Sequence, residues 1–140
     1  MKKQPFFAGL IFILFIGLSL TGCATIYVFD KSIPEENIST IKFPVILSIV
    51  KFDDKDVKWT PDYIWGYYPD KNEPAITVKI PAGEHTLIVN YHDYENRGAY
   101  TETRTAKGIE IKYDFQQGNT YSLTPAIVGY NKVAIRINKL

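Results

Sequence analysis

Reactive side chains are sparse in this chain of 140 residues, which has one cysteine, Cys23, and two histidines, His85 and His92. Histidine and cysteine are common zinc ligands, but residues seven apart on one strand point to opposite faces and cannot bind one metal ion. We therefore expect no zinc site. We expect His85 to lie at the top of the inner face of its strand, hydrogen-bonded to the backbone beside the turn at 81–83.

Three carboxylates lie close together at Asp53, Asp54 and Asp56. They resemble part of a calcium-binding loop, but the glycine at position six and the distal glutamate of an EF-hand are missing. Because aspartate is favoured in turns, we interpret the segment as a solvated hairpin tip, with calcium binding as the alternative. The chain also lacks a G-x-S-x-G motif and a glycine-rich phosphate loop. The sequence thus predicts no catalytic residue, metal site or cofactor.

A segment rich in aromatic residues is the best candidate for a partner surface, and its members are Trp59, Tyr63, Trp65, Tyr67 and Tyr68. Tyr63, Trp65 and Tyr67 would share one face of an extended chain. Such a face can stack on sugars or anchor a protein interface. The alternative, which we favour, is an ordinary buried strand, because aromatic residues are enriched in strands. An exposed partner surface formed by these residues is therefore a hypothesis.

The residues before Cys23 have the three zones of a secretory signal. Lys2 and Lys3 supply the positive charge, and an apolar run follows from Phe6 to Leu20. That run is shorter than the roughly 20 residues that a membrane-spanning helix needs. It ends in Leu20-Thr21-Gly22-Cys23, which resembles the lipobox of bacterial lipoproteins at every position. The alternative is an uncleaved N-terminal anchor helix with a chance cysteine.

The lipobox resemblance implies that residues 1–22 are a signal peptide, removed by cleavage between Gly22 and Cys23. It also implies thioether diacylation of Cys23 and acylation, with palmitate for example, of the new amino terminus. At about 0.8 kcal/mol per buried CH₂, two or three chains hold a protein stably at a membrane. Residues 23–30 would be the lipidated N-terminus and a short tether. By the same resemblance, Ala24 rather than aspartate after the cysteine favours the outer membrane if the source has two membranes.

The charge of the remaining chain argues against nucleic acid as a partner. Without residues 1–22, 14 basic and 15 acidic residues remain among 118. This near-neutral balance offers no basic surface for nucleic acid. With Cys23 acylated, no thiol is left for a disulfide, so packing alone must stabilise the fold.

Alternation of apolar and polar residues predicts strands over much of residues 31–140. The apolar positions of four such runs are Ile76, Val78 and Ile80; Leu87, Val89 and Tyr91; Ile109, Ile111, Tyr113 and Phe115; and Val133, Ile135 and Ile137. The more continuous apolar run at 45–52 predicts a strand covered on both faces. Residues 31–40 are predicted to hold one helical turn capped by Ser32. The sequence therefore predicts an all-β fold, a single small β-sandwich (prealbumin/Ig-like) of about seven or eight strands over residues 31–140.

Turn-forming residues separate these runs at 53–56, 80–83 and 116–119. The segment from Ile80 to Tyr91 resembles the P-x-G-x-H-x-L-x-V hairpin of small bacterial lipoprotein sandwich domains, and it is similar to the hairpin of PEGA-type surface-layer modules. The segment from Tyr113 to Leu123 resembles a second motif of the lipoprotein group, F-x-x-x-x-G-x-x-Y-x-L. These motifs hold turn and core residues, so the resemblance implies a fold and no functional residue.

We therefore expect a cell-envelope protein, anchored through the acyl chains on Cys23, with a non-catalytic binding or structural role. Besides the membrane, its expected partner is an unidentified envelope protein or glycan. Two alternatives stay open. One is a small envelope enzyme, such as a glycan hydrolase that uses two of the fifteen acidic residues. The other is a surface-exposed protein that contacts a host.

Overall fold

A computed structural model describes residues 32–57 and 70–140, and the backbone of residues 25–27. Nine strands form in these parts of the chain. They are β1 (Thr25–Tyr27), β2 (Ile38–Pro44), β3 (Leu47–Phe52), β4 (Lys55–Asp56), β5 (Pro74–Pro81), β6 (Gly83–Asn96), β7 (Thr101–Phe115), β8 (Thr120–Val128) and β9 (Lys132–Lys139). One sheet has the order β1-β5-β2-β8-β9, and the other has the order β4-β3-β6-β7. The predicted all-β sandwich is confirmed.

One apolar core fills the space between the two sheets. Its buried members are Ile41, Phe43, Ile46, Leu47, Ile49, Phe52, Ile76, Val78, Ile80, Leu87, Val89, Tyr91, Phe115, Tyr121 and Leu123. Strands β5 and β6 bury every second residue over most of this core, so the predicted alternation is confirmed. In β7 and β9 the predicted inner residues other than Phe115 are only partly buried and pack against the edge of the core. Each fully buried aliphatic side chain contributes about 1.5 to 3 kcal/mol.

Short connections carry the chain from one sheet to the other. Val45 and Ile46 join β2 to β3, and Ala82 alone joins β5 to β6. Gly83 follows with φ at +122°, a conformation that residues with a side chain rarely adopt. The expectation that Ile80–Tyr91 forms a hairpin is wrong, because β5 and β6 lie in different sheets. At this corner the chain crosses the sandwich instead of folding back along one sheet.

The apolar run at 45–52 is not a strand covered on both faces. Its first two residues form the turn before β3, and β3 itself has one buried face. Leu47, Ile49 and Phe52 are buried, whereas Lys51 is exposed. An irregularity in the pairing of β3 with β6, between Ile49 and Lys51, returns Phe52 to the core side. The run is apolar because it combines a buried turn with a one-sided strand.

The helical turn predicted within 31–40 is present as one 3₁₀ turn, Glu35–Asn37. Pro34 occupies the N-cap position and no side chain caps the turn, so the prediction of Ser32 as the cap is wrong. Proline suits this position because its missing N–H has no partner to lose there. The backbone N–H of Ala82 donates to the carbonyl of Asn37 at 2.9 Å. The 3₁₀ turn is thereby fixed to the corner between β5 and β6.

Two hairpins extend past the strands that flank them. In the described parts of the chain, β3 stays beside β6 only as far as the pair Leu47 and Tyr91. Beyond it, Asp93–Asn96 pairs with Thr101–Arg104, and we name this two-stranded extension the first ribbon. Strand β2 pairs with β8 only as far as Ser122, and β8 continues paired with β9.

We name the paired segments Thr124–Val128 and Lys132–Arg136 the second ribbon. Strand β6 runs outward from the corner at Gly83, β7 returns, and β8 runs outward again in the other sheet. Both hairpins therefore turn at the same end of the sandwich, which we name the ribbon end. Strands β7 and β9 also contact each other, so the two ribbons lie on the same side of the molecule.

Candidate functional site

The residues that the sequence favours most for function lie outside the described residues. These are Gly22 and Cys23 of the lipobox and the aromatic residues Trp59, Tyr63, Trp65, Tyr67 and Tyr68. The acylation of Cys23 and the exposure of the aromatic segment therefore remain predictions. The other candidates, which are residues 53–56, His85 and His92, lie in the part of the chain that the structure describes.

The aspartate cluster forms the tip of the hairpin between β3 and β4. Asp53 and Asp54 are its two central residues, with φ at 46° and 64°. Positive φ at both positions is the mark of a type I′ turn, and aspartate tolerates it better than most residues. Asp56 is exposed in β4, paired with Lys51. Among the residues that the structure describes, no three acidic, histidine or cysteine side chains are grouped as metal ligands.

His85 joins this hairpin to the corner between β5 and β6. Its Nδ1 lies 2.6 Å from Asp53 Oδ2, and its Nε2 lies 2.9 Å from the carbonyl oxygen of Pro81. The second oxygen of Asp53 accepts the backbone N–H of Thr86 at 2.9 Å. The ring also contacts Phe52, with centroids 4.6 Å apart. The predicted place of His85, with a backbone hydrogen bond beside the turn, is confirmed.

The surroundings of Asp53 act on its carboxyl group in opposite directions. Partial burial acts to raise the pKa of Asp53, but the Thr86 N–H, the His85 hydrogen bond and charge, and the charge of Lys55 outweigh it and lower that pKa overall. The ionised carboxylate of Asp53 therefore bonds the turn between β3 and β4 to strand β6.

An aspartate–histidine pair could in principle act as a general base, as in hydrolase triads. In those sites Nδ1 faces the carboxylate and Nε2 takes the proton of the nucleophile. Here Nε2 of His85 is bonded to the Pro81 carbonyl instead, and the ring is enclosed between that corner and Phe52. The pair is therefore arranged as a clamp between the hairpin and the corner.

A second polar cluster lies where the first ribbon leaves the sandwich. Lys71 Nζ donates to both oxygens of Asp93, at 3.0 and 3.2 Å, and the hydroxyl of Tyr91 donates to Asp93 at 3.3 Å. Burial, followed by the charge of Asp93, raises the pKa of Tyr91, and the Asp93 hydrogen bond raises the pKa of Lys71. The two bonds from Lys71 attach this residue to the base of the first ribbon.

Exposed apolar side chains are concentrated at the far ends of the two ribbons. The five residues are Tyr94, Tyr100, Ile127, Val128 and Tyr130, which we name the tip surface. Tyr130 is fully exposed, and the side chains of the other four are more than half exposed. Among the described residues only Leu140, at the chain end, is a further large apolar residue exposed to this degree. Single exposed apolar residues are ordinary, but a group at one end of a domain is typical of a contact surface.

The charged residues of the first ribbon neutralise one another. Glu102 bonds Arg104 at 2.7 Å and lies 3.5 Å from Arg97, and Glu95 pairs with Arg97 at 2.9 Å. The hydrogen bond from Arg104 is the main cause that lowers the pKa of Glu102. Exposed pairs like these add little stability. The first ribbon therefore has no strong field of one sign, and the exposed apolar side chains near its tip are the aromatic Tyr94 and Tyr100.

Sequence patterns alone do not identify the tip surface. Tyr94 and Tyr100 lie in or beside long strands, and an exposed tyrosine there has the same local sequence as a buried one. The informative quantity is the mismatch in strand length, because β6 and β7 have 14 and 15 residues whereas β3 has six. That mismatch becomes visible only when the pairing of the strands is known.

No protein-family model, curated protein or solved structure matches this chain. Within residues 32–57 and 70–140, no helix is long and apolar enough to cross a membrane. The functional proposal therefore depends on the sequence motifs and on the geometry described above.

Proposed function

We propose that this chain is a bacterial lipoprotein, anchored to the cell envelope through acyl chains on Cys23, and that its β-sandwich is a non-catalytic binding or structural module. The observation that carries the proposal is the sequence Leu20-Thr21-Gly22-Cys23 at the end of a short apolar run that follows Lys2 and Lys3. An anchor of two or three acyl chains gives stable attachment without a spanning helix. The attachment leaves the folded domain at the membrane surface.

The surface of the domain supports a contact role. The tip surface gathers aromatic and aliphatic side chains at one end, as interaction surfaces do. Both ring nitrogens of His85 lie within hydrogen-bond distance of oxygen atoms of Asp53 and Pro81, which favours a structural role for the pair of His85 and Asp53. Ala24 after the cysteine favours the outer membrane in a source with two membranes. An envelope protein or glycan is the proposed partner beyond the membrane.

Membrane fractionation of a bacterial host that produces the full chain tests the anchor. We expect the wild-type protein in the membrane fraction after a high-salt wash, labelled by radioactive palmitate. The Cys23→Ser variant, which keeps the apolar run but lacks the thiol, should carry no label. A substitution that leaves the lipobox intact, Gln117→Ser in an exposed turn, is the matched control. Wild-type protein without label would contradict the proposal.

Tryptophan fluorescence decides whether the aromatic segment at 59–68 is a second surface for a partner. The chain has two tryptophans, Trp59 and Trp65, so the emission reports on this segment alone. If the segment is a buried strand, as we favour, the emission is blue-shifted and resists quenching by acrylamide. Red-shifted emission that acrylamide quenches readily would instead support an exposed aromatic surface.

A further inference from the structure

We propose that the tip surface rests on the same bilayer that holds the acyl chains of Cys23, so that the domain is attached at two separate points. The inference rests on the proposed function, because it assumes the lipid anchor. It identifies what the tip surface would bind, namely the interfacial layer of a phospholipid membrane. Three features support it: the direction of β1, the reach of the ribbons, and the chemistry of their tips.

The direction of β1 places the anchor on the side of the ribbon end. Strand β1 is parallel to β5, with Thr25 opposite Thr77. Strand β5 begins at Pro74, at the ribbon end, and runs toward the corner at Gly83. The chain therefore enters β1 from the ribbon end.

The ribbons reach further than the anchor does. Thr25 is level with Thr77, three residues and thus about 10 Å short of Pro74 at the ribbon end. Cys23 is two residues before Thr25, so their Cα atoms are at most about 7 Å apart. Asn96 lies five residues beyond the end of the pairing with β3, about 17 Å further out. A bilayer that holds Cys23 and faces the ribbon end therefore meets the ribbons.

The second ribbon makes the same extension in the other sheet. Ser122 is level with Lys42 and Thr77, so Thr124 is about level with Pro74. Val128 lies four residues further out, about 13 Å, and the turn with Tyr130 follows. The exposed residues of both ribbons can therefore lie against the same flat bilayer.

The anchor and the ribbons lie at opposite edges of the molecule. Strands β1 and β9 are the two edges of the five-stranded sheet, and four steps of about 4.8 Å separate them by about 19 Å. Two contacts at this spacing would hold the domain in a tilted orientation, whereas a lipid anchor alone leaves it free to rotate. The membrane would then be touched by one edge through acyl chains and by the other edge through side chains.

The side chains of the tip surface suit the membrane interface. Tyrosine has an apolar ring and a polar hydroxyl, and it is enriched where membranes meet water. Three of the five residues are tyrosines, and Ile127 and Val128 supply aliphatic surface beside Tyr130. The charges of the first ribbon are paired with each other, so they add no strong repulsion from anionic lipids. The contact would be shallow, at the level of the headgroups.

Quenching by spin-labelled lipids tests the contact in the full lipidated protein. A cysteine introduced by Tyr130→Cys is labelled with an environment-sensitive fluorophore, because acylated Cys23 does not react. The matched control is Gln117→Cys, in an exposed turn at the opposite end of the sandwich. The protein is bound to vesicles of phosphatidylethanolamine and phosphatidylglycerol with a nitroxide on the headgroup. We expect the probe at 130 to lose most of its emission and the probe at 117 to keep it.

The possible outcomes separate the two proposals. In one outcome the protein floats with the vesicles, but the probe at 130 is quenched no more than the probe at 117. This result refutes the membrane contact and leaves the lipid anchor in place. The tip surface would then bind a protein or glycan instead. If Cys23 carries no acyl chain and the protein does not float, the proposed function fails and the inference fails with it. In a supporting result, replacing Ile127 and Val128 by serine also reduces the quenching at 130.

Discussion

At the scale of single residues, the Asp53 carboxylate is expected to make stability depend on pH. It accepts hydrogen bonds from Thr86 and His85, and its pKa is lowered from 3.8. A lowered pKa in the folded state means that the stabilisation is present above the unfolded value and is lost as the pH falls through the folded value. We predict that Asp53→Asn lowers the free energy of unfolding at neutral pH by about 1 kcal/mol, a small value because the side chain is 43% exposed.

Urea unfolding at neutral pH and at about pH 3 checks this prediction. The difference between wild type and Asp53→Asn should shrink at the acidic pH, where the wild-type carboxylate is also becoming protonated. Asp54→Asn is the matched control, since Asp54 occupies the same turn with positive φ and does not bond His85. Equal effects of the two substitutions, or a difference that does not change with pH, would refute the role of the Asp53 carboxylate.

Tyr121 fixes the connection between β7 and β8 in the manner of a tyrosine corner. Its buried hydroxyl accepts the backbone N–H of Gln116, five residues upstream, at 2.9 Å. Ser39, also buried, donates to the carbonyl of Gln116 at 2.6 Å. We predict that Tyr121→Phe lowers the free energy of unfolding by about 1 to 2 kcal/mol, because it leaves the Gln116 N–H without its partner.

Chemical unfolding of Tyr121→Phe beside Tyr113→Phe measures the effect of that hydroxyl. Tyr113 packs in the same aromatic cluster, and its ring centroid lies 5.5 Å from that of Tyr121. Its hydroxyl bonds to none of the described residues. Its substitution should change the unfolding free energy by less than about 0.5 kcal/mol. A Tyr121→Phe protein as stable as the wild type would mean that the corner adds nothing.

Sequence patterns predict some single-residue positions and miss others for a physical reason. The place of His85 follows from alternation and from the turn beside it, which are both local. Its bond to Asp53 joins residues 32 positions apart and depends on which strands pair. No local pattern contains that information, so the aspartate is predicted only as a turn residue.

At the scale of elements, a bulge in β7 shapes the root of the first ribbon. Pairing shifts between Val89 and Tyr91, which oppose Ile109 and Ala106, so β7 has one extra residue there. Gly108 has φ at +70°, and its N–H donates to the side chain of Asn90 at 2.9 Å. We predict that Gly108→Ala lowers stability by about 1 kcal/mol, because a side chain is strained at this φ.

Thermal unfolding of Gly108→Ala and of its neighbour Lys107→Ala checks the bulge. Lys107 is also exposed in β7, but its substitution forces no residue with a side chain into positive φ. We expect Gly108→Ala to melt at a lower temperature than the wild type. Lys107→Ala should melt at nearly the same temperature as the wild type. Equal losses, or no loss in either, would show that the bulge does not require glycine.

The strands follow from sequence more reliably than their arrangement does. Alternation at 76–80, 85–91, 109–115 and 133–137 marks strands that the structure confirms. The corner at Gly83 looks like a hairpin turn locally, because proline and glycine serve both purposes. Whether the next strand pairs with the last one or crosses to the other sheet depends on the whole core, which local residues do not encode.

At the scale of the whole molecule, the lipid anchor that the sequence predicts and the tip surface would face the same membrane. The five-stranded sheet has β1 at one edge and β9 at the other. Both ribbons extend from the ribbon end, and β1 also begins on the side of that end. Neither fact is visible in the sequence, since both depend on strand order. Together they give the proposed lipoprotein a definite orientation at its membrane.

The lipid anchor on Cys23 is tested by the mass of the N-terminal peptide of the protein purified from bacterial membranes. We predict a peptide that begins at Cys23 and carries a diacylglyceryl group on sulphur, with or without a further acyl chain on the amino group. A chain that still begins at Met1, or one cleaved elsewhere with an unmodified thiol at Cys23, would contradict the lipid anchor and the membrane contact that depends on it.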